Sequence, residues 1–110
     1  MHFELSINEL ESKVRDWSRE RKILEHSTSL AQFVKAVSEM GELADGLAKH
    51  RHDEIRDAIG DVLVCLINVA ALEGLNLQEC LLAAWDEIKD RRGTLTASGV
   101  FVKESDGTAP

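Results

Sequence analysis

A chain of 110 residues with 20 acidic and 13 basic side chains carries a net charge of −7. That balance argues against the phosphate backbone of a nucleic acid as the main partner, because such binding calls for a surplus of Lys and Arg; a nucleotide stays open, since phosphates reach an acidic protein through bound metal. The length allows one small domain, and a monomer of that size buries only about two-thirds of its unfolded surface, so association of copies is expected.

The start, Met1-His-Phe-Glu-Leu5, has neither a basic region nor a signal-like apolar run. Ser6-Ile-Asn-Glu9 has the pattern of a capping box and opens a first predicted helix. It runs to about Leu24, with Leu10, Val14, Trp17 and Ile23 as its expected buried side. Ser27-Thr28-Ser29 supplies the next N-cap. The second helix, to about Lys49, carries one apolar stripe of Leu30, Phe33, Val34, Val37, Met40, Gly41 and Ala44. His50-Arg51-His52 is the predicted break, and Asp53 is the expected cap of the third helix, which Gly74 ends as a C′ residue. Asn76, with Glu79 at N3, caps the fourth helix. Its apolar side is Leu77, Cys80, Leu81, Ala84, Trp85 and Ile88, and Gly93 is expected to stop it. Leu95 and Val100-Phe101-Val102, flanking Thr96-Ala-Ser-Gly99, fit a small hairpin. The expected organisation is a single all-α, four-helix domain over 1–103 and a flexible tail over 104–110. The longest near-apolar run, Val62 to Leu72, contains Asn68 and is too short to span a bilayer. The expected setting is the cytoplasm, without membrane. Cys65 and Cys80 then read as buried small hydrophobes.

Two pairs of carboxylates stand out. Glu39-Met-Gly-Glu42 and Asp57-Ala-Ile-Gly-Asp61 place like charges three and four residues apart, on shared helix faces. Such pairs repel, and two of them on neighbouring helices suggest a compensating cation. Oxygen-only donors favour Mg²⁺, with Mn²⁺ possible. On the third helix, with Asp61 at zero, Asp57 lies near about −40°, Glu54 near +20° and Asn68 near −20°. Ile55, Ile59, Leu63, Leu66, Ile67 and Ala70 fill the other side, while Val64, Cys65 and Leu72 share the polar one. Beyond Asp61 the helix is therefore apolar nearly all round, which implies burial on both faces and puts Asp61 in a largely buried seam.

Each motif has a blander reading. Measured from Val37, Glu39 and Glu42 project away from the apolar stripe, as a solvated acidic face would. Asn68 fits a core amide as well as a ligand contact. Lys89-Asp-Arg-Arg92 at a helix end complements the dipole, and its other use is phosphate binding. His50 and His52 do not converge on a zinc ion, which usually takes four N/S ligands.

Glu39-x-x-Glu42, followed by an acidic pair before Val62-Leu-Val-Cys-Leu-Ile-Asn68, resembles the MazG-like all-α nucleoside triphosphate pyrophosphohydrolases over about residues 30–92. Trp85-Asp-Glu-Ile-Lys89-Asp-Arg-Arg92-Gly93 and Gly99-Val-Phe-Val-Lys103 resemble small single-domain members, phage-encoded ones included. The family pattern is Glu-x-x-Glu, a spacer, then Glu-x-x-Asp. Glu39, Glu42 and Asp61 match three of those places. The fourth falls on Ala58, which cannot bind metal, so Asp57 is the candidate substitute and Glu54 the second.

The resemblance implies hydrolysis of a (d)NTP between its α- and β-phosphates, giving (d)NMP and pyrophosphate, in nucleotide-pool control or house-cleaning. Glu39, Glu42, Asp57 and Asp61 would hold Mg²⁺, and Glu39, Glu42 and Asp61 would be catalytic, Glu39 as proton acceptor. Lys89 and Arg92 would hold phosphates, Asn68 would touch phosphate or sugar, and Trp85 or Phe33 would stack on the base. The implied assembly is a homodimer or homotetramer with the second and third helices in the interface. The rival is a non-catalytic helical dimerisation or nucleotide-sensing module, which would keep the same core pattern without the carboxylate missing at Ala58. A ferritin-like metal protein would need Glu-x-x-His pairs, and the sequence has none.

Overall fold

The protein is described here by a computed structural model over residues 4–104. Five helices, α1 (Ile7–Glu20), α2 (Ile23–His26), α3 (Ser29–Ala48), α4 (His52–Leu72) and α5 (Leu77–Ile88), precede two strands, β1 (Gly93–Leu95) and β2 (Phe101–Lys103). The chain divides into two units, one up to Glu79 and one from Cys80. No single helix among the described residues is long and apolar enough to cross a membrane.

Local signals decide where the helices begin. Ser6 Oγ accepts from the Glu9 N–H at 3.1 Å and the Ser6 N–H donates to Glu9 Oε1 at 3.1 Å, a complete capping box. Thr28 caps α3 by accepting from the Ala31 N–H at 3.1 Å. Asn76 and Glu79 cap α5 reciprocally, at 2.8 and 2.9 Å. At the end of α4, Gly74 takes φ 72°. There the Gly74 N–H reaches the Ala71 carbonyl at 3.2 Å and the Leu75 N–H the Ala70 carbonyl at 2.7 Å. That is a Schellman motif, and its left-handed position favours glycine.

The first helix is shorter than predicted. Lys22 adopts φ 66° and its N–H turns back to the Arg19 carbonyl at 3.1 Å, so the ladder stops and α2 starts as a separate turn. Its buried side also differs: Leu10 and Trp17 are exposed, whereas Glu11 and Ser18 are buried. The helix is rotated because those two polar groups have partners inside. Glu11 accepts from the Leu77 N–H at 2.7 Å and pairs with Arg15 at 3.4 Å. Trp17 instead lies under the Arg21 guanidinium, 4.6 Å from its ring centre, a cation–π contact.

The largest departure concerns α3. The stripe from Leu30 to Met40 was expected inside, yet Leu30, Phe33, Val34, Val37 and Met40 are all more than half exposed. The side turned inward carries Ala36, Glu39 and Gly46. Against it α4 buries Ala58, Cys65, Ile67, Asn68 and Ala70. Small residues let the two helices pack closely: a Cβ added at Gly46 would stand 3.3 Å from the Ile55 backbone nitrogen. Asp61, expected in a buried seam, is exposed, as are Ile59, Leu63 and Leu66. The α4 N-cap is Arg51 rather than Asp53, which falls in the first turn with Glu54.

In the second unit, α5 ends at Ile88, before the predicted stop at Gly93. Gly93 opens β1, which pairs antiparallel with β2 in the register Gly93↔Lys103, Thr94↔Val102, Leu95↔Phe101. A side chain at Gly93 would run into the Val102 carbonyl and the Phe101 ring. The predicted hairpin is present, with Gly99 at φ 87° in its turn. Cys65 is buried as expected, but Cys80 is exposed. Of the tail expected over 104–110, Glu104 is described, its N–H bonded to the Arg92 carbonyl at 2.8 Å; 105–110 lie outside the described residues.

Candidate active site

Two helices bring three carboxylates together. Glu39 and Glu42 sit three residues apart on α3, and Asp61 faces them from α4; one oxygen from each lies within 4.8 Å of the others. Glu39 is only 7% exposed. Its Oε1 takes an ion pair from Lys35 Nζ at 3.3 Å, one turn back on the same helix. Its Oε2 is buried without a hydrogen-bond partner. A buried carboxylate oxygen without a partner is costly. Glu42 and Asp61 are exposed, so the cluster has a dry floor and a wet rim.

The electrostatics reflect that crowding. The Glu42 carboxyl is raised above its ordinary value, first by the proton it can share with Glu39, then by Glu39's charge, by partial loss of water and by Asp61. Lys35 is raised by its bond to Glu39. Burial, and then Glu39's charge, push the Cys65 thiol up, so it packs as a neutral small hydrophobe. A cation would relieve the repulsion among the three carboxylates. Three oxygen donors and no soft ligand suit a hard divalent ion such as Mg²⁺ or Mn²⁺. The orphaned Glu39 Oε2 is the observation that makes the residues fit one.

Glu42 and Asp61 open onto a groove of about 400 Å³ that is also lined by Asp45, Lys49, Arg51, Glu54, Asp57 and Ala58. Asp57, the candidate fourth ligand, shares this groove but stands outside the group of three. Ala58, the place where the resemblance calls for a carboxylate, lies on the groove wall and is 3% exposed.

Asn68 is placed differently. Its Oδ1 accepts from Ser18 Oγ at 2.6 Å and its Nδ2 donates to Gln32 Oε1 at 3.0 Å. Gln32 passes the chain on to Ser27 Oγ at 3.0 Å. The core-amide reading describes these surroundings, with α1, α3 and α4 pinned through one side chain. Trp85, Lys89 and Arg92 belong to the second unit, where Lys89 pairs with Asp86 at 3.3 Å and Trp85 is 54% exposed. Sequence reasoning passed over Lys35, Lys49 and Arg51. Lys35 was legible in principle, four residues before Glu39, whereas Lys49 and Arg51 were read only as part of a helix break.

Residues 26–95 match the MazG nucleotide pyrophosphohydrolase domain, well over half of the chain. The chain belongs to the MazG pyrophosphohydrolase family. The matched segment contains α3 and α4 with all three clustered carboxylates. An uncharacterised 18.2 kDa protein from the rep-hol intergenic region of Haemophilus phage HP1 is 38% identical over 64 residues, 58% of this chain and 39% of that protein. The chain thus matches well under half of that relative's length. Among solved structures, a MazG-like pyrophosphohydrolase of cyanophage S-2L superposes with a TM-score of 0.68 at 19% identity, covering 92% of this chain and 99% of its own. That protein was solved with dGDP and three catalytic Mn²⁺ ions per active site; to this chain the likeness brings the all-α MazG-like fold.

Proposed function

We propose that this MazG domain is a Mg²⁺-dependent nucleoside triphosphate pyrophosphohydrolase, converting (d)NTP to (d)NMP and pyrophosphate. The observation that carries the reading is the carboxylate trio with an unpartnered buried oxygen, on the two helices of the family match. The dGDP and Mn²⁺ held by the cyanophage protein support a nucleotide and a divalent metal as its ligands.

Glu39, Glu42 and Asp61 would hold the cation, with Asp57 the candidate further ligand from the groove wall. Once bound, a divalent ion there neutralises phosphate charge and lowers the pKa of water. Glu39 is held in place by Lys35, and its carboxylate accepts the proton of the attacking water. The bond from that water oxygen to the α-phosphorus forms as the bridge to the β-phosphate breaks, and pyrophosphate leaves. Asn68 serves substrate indirectly, by fixing α4 against α1 and α3.

The protein works as a homodimer or homotetramer in the cytoplasm. The exposed apolar stripe of α3 and the exposed Ile59, Leu63 and Leu66 of α4 are the surfaces that would be buried between copies. Light scattering at micromolar concentration is expected to give a mass of at least two chains.

Chromatography of products from a panel of canonical and modified triphosphates tests the reaction. Monophosphate plus pyrophosphate, dependent on Mg²⁺ or Mn²⁺, is expected. Diphosphate plus inorganic phosphate would overturn the assignment. No turnover of any triphosphate would favour the non-catalytic nucleotide-sensing module, for which Ala58 in place of a family carboxylate is the supporting feature.

A further inference from the structure

We infer that Lys49 and Arg51 form a cationic end to the carboxylate groove and hold the pyrophosphate end of the substrate. The inference rests on reading the site as a triphosphate hydrolase and adds two residues to it. Both line the groove that Glu42, Asp57 and Asp61 open onto.

Their position follows from the turn between α3 and α4. Lys49 is the α3 C-cap and Arg51 the α4 N-cap. His50 between them takes φ 55°, and the Arg51 N–H is tied to the Gly46 carbonyl at 2.9 Å. Gly46 lets α4 approach there, with Ile55 Cγ1 3.3 Å from where its Cβ would be. The turn is thereby fixed and the two side chains flank one residue. Glu42 precedes Lys49 by two helical turns, about 10 Å of rise. One groove thus carries Glu42 and Asp61 for a cation toward one end and Lys49 and Arg51, each beside a carboxylate, toward the other.

The chemistry fits a polyphosphate. Five carboxylates and two cations line the groove, so a highly charged anion needs both bound metal and every available cation. Lys49 rests on Asp45 at 3.8 Å and Arg51 on Glu54 at 3.1 Å. All four side chains are at least half exposed, and such pairs contribute little, so a phosphate displaces them readily. Arginine's planar fork matches two phosphate oxygens, while lysine offers a mobile point charge. Held in this way, the β- and γ-phosphates leave the α-phosphorus nearest the carboxylates, which makes pyrophosphate the group that departs.

The test is calorimetric titration of the protein with inorganic pyrophosphate in Mg²⁺, a probe independent of the base, alongside Mg²⁺ alone. Lys49→Ala and Arg51→Ala should each weaken pyrophosphate binding by about tenfold to a hundredfold, the loss expected for a charge-assisted hydrogen bond. Mg²⁺ binding and melting temperature should stay near wild type. Arg56→Ala, an exposed cation outside the groove lining, should change nothing, and Lys49→Arg should restore most of the binding. Unchanged pyrophosphate affinity in both alanine variants, in a protein whose wild type releases pyrophosphate from triphosphates, overturns the inference and leaves the proposed function standing. A loss confined to Lys89→Ala and Arg92→Ala overturns it equally. A wild type that cleaves no triphosphate fails the proposed function, and the inference falls with it.

Discussion

The same pair of helices carries two polar clusters that are built in opposite ways. Around Asn68 the groups are neutral, and the amide and hydroxyls satisfy one another from Ser18 through Gln32 to Ser27. Around Glu39 three carboxylates crowd together with one cation, Lys35, against them, and a buried oxygen is left without a partner. Burial of polar atoms is tolerated where the network closes on itself. A buried carboxylate oxygen left open among other carboxylates is one that a cation from outside the chain can complete. The first cluster serves the architecture, and the second is where a ligand belongs.

Substitutions can break that contrast. Glu39→Gln should lower turnover by about 10²–10⁴-fold, the range for loss of a general base. It should also raise the melting temperature of the metal-free protein, because a buried negative charge disappears, and abolish the Mg²⁺-induced shift. Asp61→Asn should likewise abolish activity with the fold nearly intact. Steady-state kinetics and melting curves on the same samples check both. Ser18→Ala should do the reverse. It leaves Asn68 Oδ1 without its donor and costs about 1–3 kcal/mol of stability, measured by urea unfolding, while the Mg²⁺ response stays. Asp57→Asn sharpens the division further: because Asp57 lies in the groove but outside the trio, its loss of Mg²⁺ affinity should be smaller than that of Asp61→Asn.

The pH dependence gives the smallest expected effect. The folded-state value of Glu42 is raised, so the fold favours its protonated form. Metal-free stability should then decline as pH rises from the ordinary carboxylate value of 4.5 through the raised one. Saturating Mg²⁺ should reverse the sign, since metal favours the ionised carboxylates. Melting curves between about pH 4 and 7, with and without Mg²⁺, follow it.

How much of this was legible depended on whether the signal was local. Ser6, Thr28, Asn76 and Gly74 announce helix ends because a cap is settled within four residues. The hairpin was readable from Gly99 and its flanking apolar residues for the same reason. The grouping of Glu39, Glu42 and Asp61 came from helical spacing joined to the family resemblance. The inward side of α3 was not legible. Large apolar residues point to a seam by periodicity, but close packing of two helices selects small ones, here Ala36, Gly46, Ala58 and Ala70. The stripe of Leu30, Phe33 and Val37 was left outward. That choice also moved Glu39 from an expected solvated face to a buried one. The break at Lys22 was hidden because a left-handed lysine leaves no compositional mark.

The most direct measurement is an anomalous difference map from crystals soaked in Mn²⁺. A strong peak bounded by Glu39, Glu42 and Asp61, lost in Asp61→Asn crystals, is expected. Peaks only elsewhere, or none at the trio with Mn²⁺ in excess, would contradict the claim that the open carboxylate cluster is the metal-dependent centre.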